Sequence, residues 1–212
     1  MSENVVIVGS GGHAAVVADA LLASDVRVAG FVDIDPARLG AVVCGLAVLG
    51  DESVLAAHDR TATRLANGIG GTRCDGLRRS VQTRLEAAGW QFVAVRHPSA
   101  IVSPFARIGA GAQLLAASVV QAGARIGAGA IVNTAAVVEH DAEVGEFVHV
   151  APRALLCGGV VAAAGSHVGA GAVVRQYVRL GERTMVGAGA VVVADSPGDQ
   201  TLLGVPAREV TR

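Results

Sequence analysis

From Ile101 to Ser196 the chain divides into sixteen consecutive hexads without one insertion, opening IVSPFA, RIGAGA, QLLAAS and closing MVGAGA, VVVADS. The second position is aliphatic in fifteen of them, from Val102 through Val120, Val138 and Leu156 to Val192, and Ala162 is the exception. The sixth position is Ala, Ser, Thr or Val throughout. A period of six excludes an α-helix, whose 3.6 residues per turn would smear the aliphatic position around its surface. It suits a parallel β-helix. Each hexad is then one short strand with its turn, the aliphatic side chain points inward, the small residue fits the corner, and glycine permits the tight turn. Composition agrees: 52% of residues are hydrophobic but only 3% aromatic, and 28 are glycine, so the core must be built from small and aliphatic side chains.

The first hundred residues lack this period. VVIVGSGGHA reads as a buried strand and a glycine turn, AAVVADALLAS as a helix, and VRVAGFVD as a second strand ending in an acid. RLANGIGG is a further strand and turn. DGLRRSVQTRLEAAG has helical spacing at Leu77, Val81 and Leu85 with Asp75 as its cap, and WQFVAVRHP is a closing strand. Strands alternating with helices predict a small parallel α/β domain over residues 1–98, ending near His97-Pro98, with the repeat domain over 99–212.

Gly9-Ser10-Gly11-Gly12-His13-Ala14 fits G-x-G-x-x-A between a strand and a helix, and Asp33 follows about 20 residues on. Such glycines let phosphate oxygens approach a helix N-terminus, and His13 can add one more donor. The same pattern also suits NAD, another nucleotide or a tight turn alone, and His13 also suits a cap. The domain is too short for a two-halved dinucleotide fold, so one mononucleotide half fits better. In the second domain, His140 is the fourth residue of its hexad, and one coil of three hexads later stands Gly158. A glycine there leaves the imidazole face open and offers an N–H to the same volume, the layout of a general base facing an oxyanion donor. Asp141, or less readily Glu139, would hold the imidazole in one tautomer. The alternative is a surface histidine among chance acids.

A net charge of −1 with interspersed acids and bases points to no nucleic-acid or membrane partner. Cys44, Cys74 and Cys157 form no disulfide or metal-ligand spacing, which fits a reducing compartment. No basic-then-apolar leader and no apolar run of membrane-spanning length stand out, so a cytoplasmic protein is expected.

The hexads resemble the hexapeptide-repeat family of left-handed β-helices, three hexads to a triangular coil. GSGGHA, FVDIDP, HPSA, NTAAVVEHD, GEFVHVAP, CGGV and GVPAR together are similar to one branch of it. That branch comprises bacterial sugar acetyltransferases of the NeuD, PglD and PerB type. The resemblance implies an α/β Rossmann-like N-terminal domain followed by a left-handed parallel β-helix, acetyl-CoA as cosubstrate and no metal. It implies N-acetylation of a nucleotide-linked 4-amino-sugar in surface-glycan synthesis. Sialic acid O-acetylation and a non-catalytic nucleotide-sugar scaffold are the alternatives. It makes His140 the base and Asp141 its support, with His149 in contact with acetyl-CoA and further contacts at Ala170 and Ala188. Gly11, Gly12, His13, Asp33 and Gly70 would hold the nucleotide sugar. A homotrimer with active sites between barrels is also implied. Ile34 stands where UDP-binding relatives can carry a second acid, so UDP, GDP and dTDP stay open. Arg153 replaces a frequent glycine, and His58 and His167 match nothing in the pattern.

Overall fold

A computed structural model describes residues 4–71 and 76–210. The expected Asp75 cap and Cys74 lie outside the described residues. Strands β1 (Asn4–Val8), β2 (Arg27–Val32), β3 (Val42–Val43), β4 (Leu46–Gly50) and β5 (Thr63–Asn67) form a sheet in the order β3-β4-β2-β1-β5. It is parallel except for the β3–β4 hairpin. Helices α1 (Gly12–Ala23) and α2 (Leu77–Ala87) pack on it. The residue before α2 is Gly76 in the left-handed region, φ 74, with no side-chain cap.

WQFVAVRHP does not close this sheet as one strand. Phe92 bridges to Leu65, whereas β6 (Val95–Arg96) already runs parallel to Gln113–Leu114 of the coils.

The fold class read from the hexads is the one present. Positions one and two of every hexad form a two-residue strand, from Ile101–Val102 to Val191–Val192. Up to Val173–Val174 each pairs in parallel with the strand 18 residues on, as Val119 with Val137 and Val137 with Leu155; at the last coil Met185 pairs with Thr201 instead. Extended backbone alternates its side chains, so positions six and two point inward and position one outward. Hence Ala136 and Val138, Ala154 and Leu156, Ala172 and Val174 are buried in one column-filled core. Every fifth position from Gly111 to Gly189 has positive φ, including the non-glycine residues Asp141 (58°), Phe147 (54°) and Tyr177 (61°). The turn geometry therefore overrides side-chain preference. Burial of each Val or Leu contributes about 1.5–3 kcal/mol, which holds the coils against that local cost.

The three outer faces of the prism differ. One carries Arg107, Arg125, Glu143 and Arg179, exposed and charged. A second carries Ile101, Val119, Val137, Leu155, Val173 and Val191, aliphatic and only partly covered. The third stacks Gln113, Ile131, His149 and His167, and the N-terminal domain sits on it. There Ile131 and Leu115 join Val5, Ile7, Ala14 and Val17 in one apolar cluster. The buried guanidinium of Arg78 donates to the carbonyls of Gly129 and Phe147. Desolvation lowers its pKa to about 10. Among the described residues no helix is long and apolar enough to cross a membrane.

Candidate active site

The glycine turn, Asp33 and residues 68–71 after β5 line an open cavity of about 560 Å³. It gathers Gly11, Gly12, His13, Asp33 and Gly70. A Cβ placed on Gly11 or Gly12 would meet nothing within 4 Å. Protein packing therefore does not demand glycine there, and the space stays free for a ligand at the start of α1. Gly68 is different, since a Cβ on it would lie 2.7 Å from the Cβ of Ala14.

Asp33 is committed to the turn. Its carboxylate accepts from the Ser10 amide (2.7 Å) and hydroxyl (2.6 Å) and from the Asp35 amide (3.0 Å). Burial acts to raise its pKa, but these bonds and Arg38 outweigh burial and hold it below the usual carboxylate value. Asp33 thus braces the glycine turn as well as lining the cavity.

His13 is placed otherwise than as a spare donor. Its Nε2 lies 2.7 Å from Oε1 of Gln113, a β-helix residue. Burial lowers its pKa, against the Gln113 bond and with help from Arg78.

His140 follows the strand Val137–Val138, at the corner between the aliphatic and charged faces. Its Nδ1 lies 3.0 Å from Asp141 Oδ2, and both side chains are exposed. A carboxylate only accepts, so Nδ1 carries a proton, and in the neutral ring Nε2 keeps the lone pair. The positive φ of Asp141 turns its carboxylate back beside the ring. Nε2 lies over Gly158 one coil on, which only a residue without Cβ allows. The Gly158 amide enters no backbone hydrogen bond of the coil ladder among the described residues. Tyr177, 73% exposed, leans over Gly159 from the next coil.

Ala170 and Ala188 stack one coil apart on an exposed corner, linked by Gly189 N–H to Ala170 O at 2.9 Å, and their own amides are likewise outside the ladder. Small side chains and amides without a ladder partner thus form one exposed strip. His149 is neither at a corner nor on the surface. It is 9% exposed, with Nδ1 donating to Gly71 O (2.6 Å) and Nε2 accepting from Asn133 Nδ2 (3.0 Å). Burial pushes its pKa down to about 3. His167, which matched no motif, packs edge-on against it at 4.9 Å. With Arg78, Arg79, Phe147 and Arg183 these two histidines line a cavity of about 80 Å³ at the domain seam. The 18-residue column Gln113, Ile131, His149, His167 was visible in the repeat, but nothing in it said which face would be covered. Cys157 is half-buried against the coil core, and burial, with Glu139, pushes its thiol up.

Comparison with known proteins agrees with this architecture. A family model described as the PglD N-terminal domain matches residues 4–85. The structure of PerB from Caulobacter crescentus in complex with CoA and GDP-perosamine superposes with a TM-score of 0.91 at 39% identity, covering 100% of this chain and 99% of that one. The acetyltransferase domain of PglB from Neisseria gonorrhoeae, in complex with acetyl coenzyme A, gives 0.91 at 35% identity over 99% and 100%. WeeI from Acinetobacter baumannii shares the fold at 23% identity, with a TM-score of 0.84 over 98% and 100%. With near-complete coverage by relatives more than a third identical, the chain belongs to the NeuD/PglD/PerB-like family of hexapeptide-repeat acyltransferases.

Proposed function

We propose that the protein transfers the acetyl group of acetyl-CoA to the amine of a nucleotide-linked 4-amino-sugar, with His140 as general base. What carries this reading is the coexistence in one chain of an open cavity over Gly11 and Gly12 and an outward-facing His140–Asp141 pair beside Gly158. The full-length similarity to an enzyme held with CoA and GDP-perosamine supports the same two ligand classes.

Acetyl-CoA supplies an acetyl group activated as a thioester. As the amine nitrogen bonds to the acyl carbon and the carbon–sulfur bond breaks, Nε2 of His140 accepts the proton the amine sheds and can hand it to the departing sulfur. Asp141 keeps the ring in the accepting tautomer and stabilises the imidazolium. The unused Gly158 amide is the donor we assign to the acyl oxygen. Ala170 and Ala188 would hold the cosubstrate arm, with His149 behind it, and Gly11, Gly12, His13, Asp33 and Gly70 the nucleotide sugar.

We also read the working form as a homotrimer. The aliphatic face borders the His140 corner, and a row of partly exposed aliphatic side chains is the kind of surface a second copy covers. The nucleotide cavity belongs to a domain seated on a different face, so a neighbour packed on the aliphatic face brings another chain's surface to His140.

The test is an assay with acetyl-CoA and a panel of UDP-, GDP- and dTDP-linked 4-amino-sugars beside CMP-sialic acid and its free sugar. Acetylation of one amino sugar is the expected result. Transfer only to sialic acid, or tight binding without turnover, would overturn the assignment.

A further inference from the structure

We propose that Gln113 is a positioning residue of the nucleotide-sugar cavity, locking His13 so that its Nδ1 accepts an N–H or O–H from the ligand and does not donate to phosphate. Gln113 is 1% exposed, on a coil strand, and its carboxamide reaches into the N-terminal domain. Its Nε2 donates to the backbone carbonyl of Asn67 at 2.6 Å. A carbonyl can only accept, so the amide cannot face the other way, and Oε1 must point at His13. Oε1 also only accepts, so the His13 nitrogen 2.7 Å away carries the proton. A neutral imidazole has one N–H, which leaves Nδ1 with a lone pair.

Among the described residues that Nδ1 has no hydrogen-bond partner and is not a fully buried unpaired atom, and the ring lines the cavity. Asn67 extends the grip. Its Oδ1 accepts from Ile69 N–H at 3.1 Å, and its Nδ2 donates to Arg78 O and Gln82 Oε1. One β-helix side chain therefore ties together two walls of the cavity, the start of α1 and the Gly68–Gly71 turn.

This inference rests on the nucleotide-sugar reading for the identity of the ligand but not for the lock itself. Long-range ¹H–¹⁵N spectra of the histidine rings in the intact protein at neutral pH read the tautomer directly, with His13 assigned by its loss in His13→Asn. The expected pattern is a protonated Nε2 and a bare Nδ1. Adding the nucleotide sugar should shift the Nδ1 resonance, and adding inorganic phosphate should not. In Gln113→Leu the pattern should average over both tautomers, and KM for the nucleotide sugar should rise about tenfold, the loss of one buried hydrogen bond, while KM for acetyl-CoA holds. A protonated Nδ1 in the wild-type protein, or an Nδ1 that responds to phosphate as to nucleotide sugar, overturns the proposal. The wild-type spectra decide even where the leucine variant does not fold. Failure of any nucleotide sugar to bind the wild-type protein would instead sink the functional reading and leave the lock to the tautomer spectrum.

Discussion

The Nε2 atom of His140 lies 2.5 Å from the point a Cβ on Gly158 would occupy. The two residues are one coil apart, so the β-helix pitch sets how closely the imidazole lies on the next rung. Gly158→Ala must push the ring aside, because the coil backbone beneath is fixed by hydrogen bonds such as Gly159 N–H to His140 O at 2.9 Å. We expect kcat/KM to fall by about 10²-fold for a displacement near 1 Å, with the melting temperature almost unchanged. Steady-state kinetics paired with thermal unfolding checks this. An alanine variant with full activity would show that the ring's seat is irrelevant.

Removing the ring altogether tests the base. Binding of both ligands and the Gly158 donor would survive its loss, so the effect should be that of general-base catalysis alone. His140→Ala should lower kcat by about 10²-fold while both KM values stay close to wild type. Asp141→Asn, which keeps the shape but not the charge, should cost less. Equal losses in kcat and in affinity would argue for a structural role.

The aliphatic face makes a separate forecast. Val137 is half-buried on it, next to the His140 corner. Val137→Arg should leave the strand signal in circular dichroism intact, convert a trimer to monomers in light scattering, and remove most activity. Full activity in a monomer would contradict the intersubunit site.

Stability should fall as the pH drops below neutral. His149 is neutral in the fold with its pKa near 3, and unfolded histidine titrates near 6.5. Below about 6.5 the unfolded chain therefore binds more protons than the native one, and stability rises with pH through this window. His149 alone should cost about 2 kcal/mol between pH 7.5 and 5. His13 and His167, also lowered first by burial, act in the same direction. Urea unfolding across this range gives the slope, and His149→Gln should flatten it.

Much of this was legible in the hexads. The rungs, the inward residues and the stacking of His140 under Gly158 follow from counting in sixes and eighteens, since each strand finds its partner at a separation the repeat itself sets. The glycine turn and Asp33 were legible too, because a strand, a turn and a helix start are local. The seam was not. His149 read as a contact for acetyl-CoA, His167 as nothing, His13 as a spare donor, and Gln113 drew no notice.

The periodic text of the chain is sufficient for the prism and for the residues along each of its edges, because every contact that builds it repeats one short rule. It does not say which face the first domain covers. That depends on pairs such as His13 and Gln113, 100 residues apart, which meet only once apolar side chains from both domains have closed over Ile131 and Leu115. Burial then turns polar side chains that looked incidental into fixed donors and acceptors, because a polar group shut away from water must take whatever partner the packing offers.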